Sequence, residues 1–214
     1  NDAGYWFSSG TAPTPGMSCA GGTNDTGGNY LYAPSDRDNA SRQHITGIRF
    51  TTVNVPRNAT IVRAYLQAEV ADAGAVAGPL ALSVVGEKAS NTTAANGSFN
   101  NSSRTPCSRL NATSNLVPTV SGSVAPVSWQ MSDLPAVDDL VRSPDLTAIL
   151  QPMVNDSSWG ASSGTATLLL YKSSGAGNAW LGFSSYDRGA SRAPKLVVEY
   201  YTGSASTASV TTAL

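Results

Sequence analysis

Charge is scarce in this sequence. Charged residues make up 13% of its 214 positions and the formal net charge is −1, so hydroxyls, amides and glycine must cover much of the surface. The basic residues are scattered singly, which leaves no row of cations to neutralise phosphates or hold an anionic bilayer. Nucleic acid and membrane surfaces are therefore set aside as partners. No apolar run nears the roughly 20 residues that span a bilayer. The longest strand-like run is ATLLLY, Ala166 to Tyr171, and no membrane insertion is expected.

Residue types that carry catalysis are equally scarce. His44 is the only histidine, with no GxSxG elbow and no reactive cysteine elsewhere, so a hydrolytic triad has nothing to assemble from. The glutamates are Glu69, Glu87 and Glu199, and Glu69 and Glu199 read as solvent-facing strand residues. No pattern among the aspartates selects the carboxylate pair that glycoside hydrolysis needs. We name no catalytic residue and expect no enzyme. Two cysteines and one histidine cannot complete a four-ligand zinc site. The best oxygen cluster is Ser35-Asp36-Arg37-Asp38-Asn39, where Asp36 and Asp38 are calcium candidates; Asp138-Asp139 and Asp187 are weaker ones. Arg37 between the acids and the absence of EF-hand spacing favour an Asx-rich turn, so no metal or cofactor is expected.

What is abundant is Asn-X-Ser/Thr. Nine of the asparagines head a sequon: Asn24, Asn39, Asn58, Asn91, Asn96, Asn100, Asn101, Asn111 and Asn155. Roughly three would arise by chance. The excess points to covalent N-glycans and a eukaryotic secretory pathway. Asn100 and Asn101 are adjacent and compete for one sugar. In that compartment Cys19 and Cys107 are expected to form one disulfide, closing a long loop worth up to about 4–5 kcal/mol in the chain-entropy model. The absence of Met or an apolar leader at Asn1 fits a mature secreted chain.

Period-two alternation dominates. In ATIVRAYLQAEVAD the set Val62, Ala64, Leu66, Ala68, Val70 falls on one face, and HITGIRFTTVNV, separated from it by Pro56-Arg57-Asn58, reads as its neighbouring strand. PLALSVVGE, APVSWQM, ATLLLYK, AWLGFSS and PKLVVEYY add further strands. Short alternating strands with Gly/Ser/Asn turns and no βα repeats predict an all-β antiparallel sandwich or jelly roll. One helix is expected over 144–154, with Ser143-Pro144-Asp145 as its start and Pro152 ending or distorting its last turn. The chain divides into a loop-rich, aromatic segment 1–43, a β-sandwich 44–202 and a low-complexity tail 203–214. The tail alternates and could add a strand. Residues 91–113 are expected as a long, sugar-bearing excursion tied by the disulfide to the first segment.

The stretches SPDLTAILQPMVNDSSWGASSGTATLLLYKSS and AWLGFSSYDRGASRAPKLVVEYYT resemble the DNRLRE-type β-sandwich modules of extracellular proteins. The matching features are Leu146 to Trp159, Ala166 to Tyr171, Ser184 to Arg188 and Ala193-Pro194-Lys195-Leu196, over about residues 45–201. The departures are Pro152, the sequon-dense insertion and both low-complexity ends. The resemblance implies a jelly-roll-like sandwich of secreted and surface proteins, some of which bind polysaccharide.

Two functions follow as expectations. The first is a non-catalytic structural subunit of an extracellular polymer, filament or coat, self-associating through end segments that include Tyr5, Trp6, Phe7, Val210 and Leu214. The alternative is a carbohydrate-binding module, whose rings would be Trp180, Tyr186, Trp159, Tyr30 and Tyr32 with Asp187 and Arg188 as polar neighbours. Trp129 and Trp180 sit in strands where core packing competes for the same rings.

Overall fold

Alternating side chains leave each strand one face to bury, and a pair of sheets buries both such faces against each other. The computed structural model describes residues 2–8, 12–19, 22–33, 42–74, 80–91, 98–99, 104–173, 180–203 and 208–214. The strands begin with β1 (Asp2–Ser8), β2 (Thr23–Asp25), β3 (Tyr30–Ala33), β4 (Arg42–Val53), β5 (Thr60–Gly74), β6 (Leu80–Glu87), β7 (Leu116–Val117) and β8 (Thr119–Val120). They continue with β9 (Ser123–Val124), β10 (Val127–Met131), β11 (Leu140–Arg142), β12 (Gly164–Lys172), β13 (Trp180–Ser184), β14 (Lys195–Tyr201) and β15 (Ser209–Ala213). The α-helices are α1 (Pro106–Asn111) and α2 (Thr147–Asn155).

One sheet has the order β10-β6-β12-β4-β1-β2, with β7 on β6; the other has β15-β14-β5-β13-β3, with β11 on β5. The pairings are antiparallel. The fold is thus the expected all-β sandwich. Its core joins Ile48, Phe50, Leu82, Val84, Leu168 and Leu170 to Leu66, Val70, Phe183, Leu196 and Val198. Trp129 of β10 stacks on Phe183 of β13, with ring centroids 5.7 Å apart.

Three sequence expectations are corrected. First, β4 and β5 are not neighbours: β4 pairs with β12 and β1, and β5 with β14, β13 and β11. Both strands carry an apolar face, and these meet across the core instead of lying side by side. Pro56-Arg57-Asn58 turns the chain from one sheet to the other, with Val53 and Val55 buried on the way.

Second, Val62 faces out and Ile61 faces in, at 47% and 5% exposure. Opposite β14 the register runs Glu199↔Arg63 and then Tyr200↔Ile61, so Val62 is the extra residue of a β-bulge that reverses the parity of what precedes it. Ile61→Val is expected to cost about 1 kcal/mol, whereas Val62→Thr should stay within about 0.5 kcal/mol. Urea melts of the two variants check this; the opposite ranking would remove the bulge.

Third, α2 starts at Thr147, not at the Ser-Pro-Asp step. The Asp145 carboxylate accepts from Ala64 N at 3.1 Å as well as from Thr147 N and Oγ1 at 3.1 and 2.8 Å, and Ser143 Oγ accepts from Leu66 N at 2.9 Å. These side chains satisfy the edge of β5. Burial pushes the Asp145 carboxyl up, but the Ala64 and Thr147 hydrogen bonds outweigh it and hold the group below its ordinary value. The helix also runs on through Pro152 to Asn155, because the ring lies on the exposed side while Ile149, Leu150, Met153 and Val154 plug the sandwich.

Residues 2–33, expected as loop, contribute β1 and β2 to the first sheet and β3 to the second. The tail forms β15 beside β14, with Leu196↔Ala213 and Glu199↔Val210. Since Leu196 points into the core, Ala213 does too, and the apolar Val210 and Leu214 face solvent at 67% and 52% exposure.

Candidate functional site

The disulfide forms as expected, Cys19 to Cys107, with Cα atoms 5.8 Å apart. The excursion around Cys107 is not a plain loop: it lies across the outer face of the first sheet. Thr105 Oγ1 accepts from Ser108 N at 3.1 Å and Pro106 fills the first turn of α1, a start signal visible in the Thr-Pro dipeptide. Ile45, Val85, Leu169 and Tyr171 of the sheet meet Phe99, Cys107, Leu110 and Leu116 in a second apolar cluster. Burial pushes the Tyr171 phenol up to about 12. Residues 43–50 of β4 are therefore buried on both faces. Phe99 lies directly on Gly47, where a Cβ would come within 2.5 Å of its ring.

Beneath this cover sits an ionic clamp. Glu87 at the end of β6 is fully buried and pairs with Arg109 of α1, itself 3% exposed. Arg109 Nε donates to Arg104 O at 3.1 Å and Nη2 to Ser98 O at 3.3 Å, and its guanidinium lies 4.8 Å over Phe99. One side chain thus fastens both flanks of 100–103 to the sheet. Arg49 lies close enough to feel the pair: burial and then the Arg109 charge pull its pKa down, and Glu87 opposes them.

The sequons divide by what their amides do. Asn24 Nδ2 donates to Phe99 O at 2.7 Å, and the Asn111 amide donates to Gly16 O and Met17 O at 3.1 Å. Both join the tethered segment to the cover. Asn58 is exposed at φ 65°, and Asn155 is exposed with its Oδ1 accepting from Gln151 Nε2 at 3.0 Å. Asn91 closes a 3-10 turn, Ala89–Asn91. Asn39, Asn96, Asn100, Asn101, Asp36 and Asp38 lie outside the described residues, as do the side chains of Tyr5, Trp6 and Phe7 within β1. Among the described residues no group of three or more His, Cys, Asp or Glu could hold a metal, and no helix is long and apolar enough to cross a membrane.

The ring candidates also divide. Trp159 is 1% exposed, its Nε1 donating to Val55 O at 2.8 Å, so it belongs to the core and not to a surface platform. The sequence gives no sign of this, because the burial depends on the chain turning back after α2. Trp180 and Tyr32 pack over glycines of the second sheet: a Cβ on Gly74 would come within 1.9 Å of the Trp180 ring, and one on Gly182 within 3.1 Å of Tyr32. Tyr32 Oη donates to Asp72 at 3.1 Å and Tyr30 lies 5.7 Å from Tyr32. Arg188 is 5.4 Å over Tyr30, while Tyr186 and Asp187 are exposed on the adjoining 3-10 turn. Sequence reasoning missed Asp72 and the two glycines that seat the rings. Their signal was an alternation that puts Gly opposite an aromatic on the next strand.

Further along that face, Arg63 and Arg142 flank Tyr65 at 5.2 and 5.1 Å. Glu69, expected as a bare surface acid, is only 15% exposed; it pairs with Arg192 and accepts from Ser184 Oγ at 3.1 Å. His44 is buried, edge-on to Tyr32 at 5.8 Å.

Fold and site together define a disulfide-tethered antiparallel β-sandwich with one sheet covered and a ring-bearing face on the other. No protein-family model and no curated protein matches the chain.

Proposed function

We propose that this chain is a non-catalytic, secreted and N-glycosylated structural protein, a subunit of an extracellular polymer, filament or coat. The observation that carries this reading is that both flanking segments are strands of the sandwich: β1 lies between β4 and β2, and β15 borders β14 with Val210 and Leu214 exposed. A strand at a sheet border presents main-chain groups that a second copy can pair with. Electron microscopy and size exclusion of the native full chain test it. Polymers are expected, lost on deleting 203–214 or 1–7; monomers at every concentration overturn the reading.

A carbohydrate-binding module is the second reading, favoured by Trp180 and Tyr32 packing on Gly74 and Gly182 beside Asp72 and Arg188. Sugar C–H faces pack on such rings, and the charged groups offer hydrogen bonds to hydroxyls. Saturable binding on a polysaccharide panel, lost in Trp180→Ala or Tyr186→Ala with the far-UV spectrum unchanged, supports it. A panel without saturable binding removes it. The DNRLRE-type resemblance is compatible with either reading.

A further inference from the structure

We propose that the slot between β4 and β2 takes β1 from a second copy of this chain, so that strand exchange through residues 2–8 is one of the contacts that link subunits; this rests on the structural reading above. β1 is an inner strand. It pairs with β4 from Asp2↔Ile48 to Ser8↔Arg42 and with β2 from Gly4↔Asp25 to Trp6↔Thr23. Without it, β4 and β2 face each other across a gap one strand wide.

Both walls of the slot are held by contacts in which β1 takes no part. β4 is fixed on its other edge by β12, from Gly164↔Val53 to Tyr171↔Ile45. β2 is fixed by Asn24, whose amide donates to Phe99 O at 2.7 Å, and by the Cys19–Cys107 bond just upstream. A slot whose walls persist when its strand leaves is an acceptor site. Its specificity is a main-chain register, and any copy of residues 2–8 satisfies that register equally well.

The same tether frees the donor. Pro13 is buried and Gly16 N donates to Leu110 O at 3.1 Å, so the body's hold on the chain begins at Pro13. Residues 9–12 then span up to about 14 Å when extended. That is a hinge for exchange with a copy packed against this edge of the first sheet, where the two slots lie side by side. Donor strand and acceptor slot are different surfaces, so the contact is heterologous and repeats head to tail into an open chain unless the rotation closes a ring. The structure describes the slot filled by its own β1; exchange replaces that strand with an identical one and leaves the pairing unchanged.

The test places cysteines at register partners on the mouth of the slot, Ser8→Cys with Arg42→Cys, in the full chain under assembly conditions. After oxidation, a non-reducing denaturing gel is expected to show a covalent ladder, with the 8–42 linkage confirmed by peptide mapping. The 8–42 linkage found only within monomers overturns the exchange. If electron microscopy still shows polymers in that case, the structural reading stands without it; if it shows none, both fall. A second measurement uses the chain lacking 2–8, titrated with a synthetic peptide of residues 1–10. Saturable binding at one peptide per chain supports the slot, and a folded chain that binds no peptide overturns it.

Discussion

Glu87→Ala is expected to lower the unfolding free energy by about 3–5 kcal/mol, the cost of removing one partner from a buried ion pair. The carboxylate is fully buried against Arg109, while Arg49 is also largely buried nearby. Without Glu87, the Arg109 and Arg49 charges lose the carboxylate that offsets their mutual repulsion. Arg109 cannot turn outward without releasing Ser98 O, Arg104 O and the face of Phe99. Replacing both partners, Glu87→Gln with Arg109→Met, should recover part of the loss, because the Arg109 charge is then no longer left without its carboxylate beside Arg49. Urea unfolding of the three proteins makes the comparison. A Glu87→Ala loss under about 1 kcal/mol would show that the pair is hydrated and not a clamp.

Removing the disulfide, Cys19→Ser with Cys107→Ser, is expected to cost about 4–5 kcal/mol in the chain-entropy model. The bond closes a sequence separation of 88 residues, so the reduced unfolded chain regains much conformational freedom. The loss should be visible locally as well. Amide exchange in α1 is expected to speed up more than exchange in β5, because the bond joins α1 to residues 12–19 and β5 lies in the other sheet. Equal acceleration in both elements would mean that the tether acts only on the unfolded state. A denaturant midpoint unchanged by the double substitution would sink the prediction outright.

Much of the architecture was legible because strand periodicity is local. β4, β5, β6, β10, β12, β13 and β14 all lie where alternation placed them, and their inward residues are those that alternation selects in Ala64, Leu66, Ala68 and Val70. Alternation fails at Val62, since a one-residue bulge is set by the partner strand and leaves no mark in its own sequence. It also fails at the Ser143-Pro144-Asp145 step. Those residue types cap a helix or a strand edge equally well, and the neighbouring β5 decided which. The ring-bearing face was half legible: the aromatic residues were named, but Trp159 was placed among them and Asp72 was not, because exposure depends on which sheet face a strand turns outward.

The sequence by itself determined the class of fold, the disulfide pair and the poverty of chemistry-bearing side chains, since each follows from residue type, count or local period. Only the tertiary structure decided that β4 and β5 face each other across the core, that Cys107 lies in a cover over the first sheet, and that Glu87 and Arg109 meet beneath it. Strand order, burial and charge pairing join residues far apart in the chain, and nothing in a local window encodes them. The slot that β1 fills is of the same kind: it exists because two strands, one held by β12 and one by Asn24 and the tether, stop one strand short of each other.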